Sequence, residues 1–188
     1  MEKIKRQLGI FKDMECIVTM GLCIALSIVF GKMLAINITN DFRVSLENTP
    51  TILAAIAYGP VAGLVVGGLA DLLGCLLVGF TINPIITAGA MTVGLLAGIF
   101  GRVLLKQPQK GSGFSGYLRC LLTVSIAHLF GSVVIKTYGL YVYFHSPFFL
   151  TFFTRFGIYA VTAAVEGFVL YTLYQRQIVQ KLKLGSRK

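Results

Sequence analysis

Residues 48–79 read NTPTILAAIAYGPVAGLVVGGLADLLGCLLVG and carry a single charged group, Asp71. A stretch this apolar belongs in a bilayer, where one helical crossing takes about 20 residues. The run is longer than one crossing needs, and Tyr58-Gly59-Pro60 interrupts it. A Gly-Pro pair inside an apolar run marks a turn, because Gly tolerates left-handed backbone and Pro ends a hydrogen-bond ladder. The run therefore divides into spans at about 48–58 and 61–79. This break sets the number of crossings, and so the side of the membrane on which each later loop lies.

Working outward, the polar stretch from Asn37 to Glu47 separates the divided run from an earlier apolar one at 14–36. Beyond Gly79, the short turn Phe80 to Pro84 leads to a span at 84–105, with Pro84 suited to a first helical turn. A Gly-, Ser- and Lys-rich loop at 106–116 precedes a span at 117–137. The aromatic stretch Tyr138 to Pro147 then leads into a last span at 148–174. The expectation is an all-α integral membrane protein, a bundle of six transmembrane helices forming a single membrane domain over 1–188. Composition agrees: 56% of residues are hydrophobic and 13% charged, against about 25% charged in soluble domains. Six spans consume a chain of 188 residues, leaving no room for a nucleotide-binding module. The first apolar run follows a basic start but is long enough to span and lacks a small-residue cleavage site, so no cleavable signal peptide is expected.

The net charge is +10, a value that raises the question of nucleic acid. The basic residues fall in three clusters between apolar runs, which is the signature of membrane topology instead. Lys and Arg accumulate on cytoplasmic flanks. One cluster is Lys3, Lys5, Arg6 and Lys12; another is Arg102, Lys106, Lys110 and Arg119; the third is Arg176, Lys181, Lys183, Arg187 and Lys188. All three share one side only if the span number is even, so both termini are expected in the cytoplasm. Small residues four apart, such as Gly63 and Gly67, or Ala90, Gly94 and Gly98, mark close helix packing. Cys16, Cys23, Cys75 and Cys120 form no C-x-x-C pair or Cys/His cluster, so no metal is expected.

Four bases remain outside those clusters: Lys32, Arg43, Lys136 and Arg155. In a six-span arrangement all lie toward the outer face. Ionisable groups within spans face a cavity or a partner, or snorkel to headgroups; both readings stand for Lys32 and Lys136. Arg155 lies deeper, where an inward-facing, anion-binding role is favoured. Two polar stripes recur at helical spacing: Ser125, His128, Ser132 and Lys136, then Thr151, Arg155, Tyr159, Thr162 and Glu166. They point to a polar cavity between the last two spans, or to hydrogen bonding between helices without a ligand. His128 alone reads as a structural hydrogen-bonding group, and Glu166 as a structural or partner-contact residue. Asp71, among small neighbours, faces protein, where it pairs with a base or accepts from a ligand. Glu47, Asn48 and Asn83 mark outer span ends, as caps or ligand contacts. Phe42, Phe80, Tyr138, Tyr141, Tyr143 and Phe144 form an interfacial belt or ring faces for a flat ligand. No H-E-x-x-H, G-x-S-x-G or Walker sequence occurs, so neither catalysis nor a cofactor is expected.

The chain resembles the substrate-binding S components of energy-coupling factor vitamin transporters, most closely the folate-specific branch. The residues that carry the likeness are Phe42-Arg43-Val44-Ser45-Leu46-Glu47-Asn48-Thr49-Pro50, Tyr58-Gly59-Pro60, Gly68-Leu69-Ala70-Asp71-Leu72-Leu73-Gly74-Cys75, Ile82-Asn83-Pro84-Ile85-Ile86-Thr87 and Ala127-His128-Leu129-Phe130-Gly131-Ser132. Thr49 stands where the likeness leads one to expect Leu. The resemblance implies a bacterial plasma-membrane protein that holds one vitamin near the outer face and hydrolyses nothing itself. It implies a transmembrane coupling subunit (EcfT) and two cytoplasmic ATPases as partners, docked through a small-xxx-small motif to which Gly21 and Ala25 correspond. Folate, or a reduced folate, suits the residues: Arg43, Arg155 and Lys136 for its carboxylates, with Glu47, Asn48 or Asp71 accepting from the pterin; Asn83 and His128 complete the candidate set. Competing readings are another vitamin such as riboflavin, a small intramembrane enzyme, and a ligand-free structural subunit.

Overall fold

The computed structural model describes residues 11, 13–37, 43–105 and 113–176. Most of the basic residues that set the expected orientation lie outside the described residues, as do Asp41, Phe42 and most of the loop expected at 106–116.

Helix α1, Met14–Ile28, starts at Asp13, whose carboxylate accepts from the Glu15 amide at 3.1 Å. The helix then widens into a π-helical turn over Val29–Met33, where the Leu34 amide donates to Val29 O at 3.0 Å. A two-residue antiparallel ladder pairs Ile36–Asn37 (β1) with Arg43–Val44 (β2). Helix α2 is Asn48–Tyr58, α3 is Pro60–Val78 and α4 is Pro84–Leu104. Helix α5, Gly113–Ala127, runs through a π-helical stretch, His128–Ile135, into α6, Lys136–Phe144. The last helix, α7, is Phe148–Gln175. The aromatic stretch after Thr137 is therefore mostly helical, not a connecting segment.

The expected break is present. Gly59 has φ +111°, and the Arg102 guanidinium occupies the space a side chain there would need. The positive φ demands glycine, and Pro60 follows at the first position of α3. Among the described residues, five helical rods are long and apolar enough to cross a membrane: Met14–Met33, Pro60–Val78, Pro84–Leu104, Gly113–Phe144 and Phe148–Gln175. The expected span at 48–58 forms a helix with those bounds, but its 11 residues reach about 16 Å. That is roughly half of a hydrocarbon core.

Helix α2 lies inside the bundle, buried at every residue except the partly exposed Leu53. It runs alongside α1: Thr51 and Ser27 share a hydroxyl–hydroxyl bond of 3.2 Å, and Tyr58 packs in one cluster with Cys16 and Met20. It thus runs beside α1 between about Cys16 and Ser27. A second cluster, including Ile52, Ile56, Val93, Ala97, Val124 and Leu170, ties α2, α4, α5 and α7 together.

Helices α3 and α4 meet through the small residues seen in the sequence. A β-carbon at Gly63 would lie 2.5 Å from Gly94 O, and one at Gly67 would lie 2.5 Å from Ala90 O. Backbones this close gain dispersion contact where lipid offers no hydrophobic drive. The large apolar side chains left exposed, among them Leu76, Leu77, Phe149, Phe153 and Phe168, give the rods an outer surface suited to acyl chains.

Candidate functional site

Polar groups converge where α1 ends, α2 begins and the π-helical stretch gives way to α6. Lys136 Nζ donates to Glu47 Oε1 at 3.2 Å, and only 4% of Lys136 is exposed. Glu47 lies over Gly31, where an added β-carbon would come within 2.6 Å of Glu47 Oε2. The Lys32 stem crosses Gly74, its Cε 2.9 Å from the position of a β-carbon there. Its ammonium stands 5.3 Å from the Phe80 ring centroid, within cation–π range. Asp71 Oδ2 accepts from the Thr87 hydroxyl at 2.7 Å. Asn48 is buried, and its Nδ2 has no hydrogen-bond partner.

These groups enclose a narrow cavity whose polar lining is Ser27, Lys32, Glu47, Asn48, Thr51, Asp71 and Lys136. Its free space is about 20 Å³, room for roughly one water. Two ammonium groups, two carboxylates, a carboxamide and two hydroxyls meet there. Inside a bundle such groups interact more strongly than in water, and each left without a partner is costly. The arrangement can offer cations to an anion and acceptors to N–H donors of one small molecule.

Of the expected site residues, Glu47, Asn48, Asp71 and Lys136 are brought together here. Asn83 is not. Its Oδ1 caps α4 by accepting from the Ile85 and Ile86 amides at 3.0 and 3.3 Å, and its Nδ2 donates to Gly139 O at 3.1 Å. Both ends of that amide are committed to structure. Arg43 contributes backbone to the ladder, and its side chain lies outside the described residues.

His128 and Arg155 lie apart from this cavity, in the polar thread between the π-helical stretch and α7. His128 Nε2 meets Glu166 Oε2 at 2.6 Å and His128 Nδ1 meets Ser132 Oγ at 3.2 Å. The imidazole stacks on Tyr159, ring centroids 5.0 Å apart. Arg155 Nη1 donates to Ser132 O at 3.1 Å. The polar cavity expected between the two striped helices is not found as such: the space there, about 180 Å³, has Ser125, His128 and Tyr159 as its polar lining and an otherwise apolar wall. The stripes are thus used chiefly for hydrogen bonds between helices. Among the described residues no group of His, Cys, Asp and Glu is arranged to hold a metal.

Sequence reasoning did not single out Ser27 or Thr51, and left Lys32 between two readings. Thr51 lies three residues beyond Asn48, on the same helical face, which is the one local signal for it. Ser27 has no such signal, because its partner is distant in the chain. Gly21 and Ala25 lie on the exposed face of α1, where a β-carbon at Gly21 would meet nothing within 4 Å. Phe80, Tyr138, Tyr141, Tyr143 and Phe144 are all exposed and sit at the pocket end of the bundle, as an interfacial belt does.

A bundle of membrane-length helices with a buried polar pocket at one end suits a protein that binds a small molecule within the membrane. The family model for the ECF-type riboflavin transporter, S component, matches residues 12–176, and the chain belongs to that family. Its members are substrate-binding subunits of a transporter, not enzymes. Among solved structures, the chain is similar to one described as the crystal structure of FolT bound with folic acid. The likeness has a TM-score of 0.65 at 19% identity, covering 89% of this chain and 94% of the other. No curated protein matches the sequence.

Proposed function

We propose that this S component captures folate, or a reduced folate, in the pocket of Glu47, Asn48, Asp71 and Lys136. The observation that carries the reading is the meeting of two ammonium groups with two carboxylates and an unsatisfied carboxamide in one cavity. Folate has matching halves: a pterin rich in N–H donors, and a glutamate with two carboxylates. Asp71 and Glu47 accept from the pterin, and Lys136 and Lys32 take the carboxylates by charge-assisted hydrogen bonds. The fold-level likeness to a protein crystallised with folic acid supports the same reading. The cavity in its present shape is smaller than any vitamin, so binding opens it and exchanges the Lys136–Glu47 bond for bonds to ligand.

The description of the matched family favours a second reading, riboflavin. That vitamin is uncharged and leaves both lysines without an anion. Calorimetry on detergent-purified protein with folate, riboflavin and thiamine separates these readings. Tight folate binding is expected; tight binding of riboflavin with none of folate would overturn the first reading and keep the family.

The remaining architecture is proposed on the same footing. Six crossings, with α2 and residues 43–47 together forming the second, put both termini and the 106–116 loop in the cytoplasm of a bacterium. The basic clusters support this side. A transmembrane coupling subunit binds the α1 face that carries Gly21 and Ala25, and two ATPases supply the energy. Cysteine labelling from each side of the membrane tests the topology.

A further inference from the structure

We propose that Arg155 and the buried His128–Glu166 pair are positioning residues: they hold the π-helical stretch His128–Ile135 in its wide register, and that register aims Lys136 at Glu47. The inference rests on the pocket reading above and extends it to residues that do not line the pocket.

The register is visible in the backbone. The Lys136 amide donates to Gly131 O, five residues back, where an α-helix would use the fourth. Such wide turns are rare and need tertiary support. Tightening one of them to α register would rotate all of α6 by about 100°, carrying Lys136 away from Glu47. Support comes from α7 at two points. Arg155 donates to the carbonyl of Ser132, inside the stretch. Glu166 takes His128 at the start of the stretch, and His128 in turn meets the Ser132 hydroxyl. His128 and Glu166 are each 1% exposed, so releasing either would leave a buried polar group without its partner. On the opposite side the stretch is seated on α4, where a β-carbon at Gly131 would lie 2.7 Å from Gly89 O.

Positioning and a plain field effect differ in sign. By field alone, Arg155→Met lowers the affinity for an anion, whereas Glu166→Leu, which removes an acid, does not lower it. Loss of positioning moves both the same way, and a carboxylate-free pterin, which does not need Lys136, is spared.

The test uses the full chain in lipid. Solid-state NMR first reads, without ligand, the dipolar coupling between the Lys136 ammonium nitrogen and the Glu47 carboxyl carbon. The coupling should vanish in Arg155→Met and Glu166→Leu and persist in Glu166→Gln, which keeps a hydrogen bond to His128. Calorimetry then compares folate with the carboxylate-free pterin. Folate affinity should fall at least about tenfold in the first two variants, the loss of a hydrogen bond to a charged group, while pterin affinity stays within about twofold. A coupling retained in both variants, equal losses for both ligands, or opposite shifts for the two variants would overturn the proposal. If Glu166→Leu does not fold, Arg155→Met carries the test alone, and a retained coupling there overturns the proposal, because that substitution removes the bond to the Ser132 carbonyl. A wild-type protein that shows the coupling pattern but binds no folate sinks the pocket reading and leaves the positioning role standing.

Discussion

The Cγ of Lys136 passes 2.7 Å from the point where a β-carbon would stand at Gly89. The lysine stem reaches the pocket only because that residue of α4 has no side chain. Gly89→Ala is therefore expected to displace Lys136 and weaken folate binding by about tenfold or more. Overpacking should also lower stability by about 1–3 kcal/mol. Gly157→Ala is the control: nothing lies within 4 Å of its β-carbon position, and α7 should gain up to ~1 kcal/mol from better helix propensity. Thermal unfolding in detergent and calorimetry check both. Equal behaviour of the two variants would remove the lysine channel from the account.

The Lys136–Glu47 bond of 3.2 Å should appear as a coupling energy. In a double-mutant cycle of Lys136→Met and Glu47→Gln, the stabilities of the single variants should fail to add by about 0.5–3 kcal/mol. Additive values would mean that the two groups do not interact in the membrane.

Thr87 bonds Asp71 at 2.7 Å, and a charged acceptor makes this one of the stronger bonds in the bundle. Thr87→Val should cost about 1.5–3 kcal/mol. The same substitution frees Asp71 and should change ligand affinity more than a valine at Thr92 does. Thr92, on the same helix, bonds only its own backbone, donating to Ala88 O. Similar affinities for the two variants would place Asp71 outside the site.

Helix α1 exposes Gly21 and Ala25 together with Val18 and Leu22. Ala25→Phe should leave folding and vitamin binding intact while abolishing uptake by cells that carry the partner subunits. Uptake at the wild-type rate would move the docking face elsewhere.

Much of this was legible in the chain. The Gly59-Pro60 break works through one residue's backbone and the next residue's missing amide, both local properties, and it falls where the sequence places it. The starts of α3, α4 and α7 follow from Pro60, Pro84 and Pro147, which are just as local. Asn48, Asp71 and Lys136 stood out because buried polar groups need reasons. The wide turns did not, since nothing in His128–Ile135 distinguishes a π register from an α register; tertiary bonds from α7 coincide with the difference. Arg155 looked like an anion ligand for the same reason. Its depth was readable, but its partner, a backbone carbonyl on another helix, has no side-chain signature. Ser27 was unreadable because Thr51 lies 24 residues away.

Helix α2 is second in the chain, yet beyond α1 it rests on neighbours made later. Its walls include Val93 and Ala97 of α4 and Leu170 of α7, and at 11 residues it is too short to lodge stably in lipid by itself. The order of synthesis and the order of consolidation therefore differ. Ribosome-attached chains that end before α4 should hold α2 insecurely, open to a protease from one side. Its protection should arrive late, as α4 and then α7 close around it.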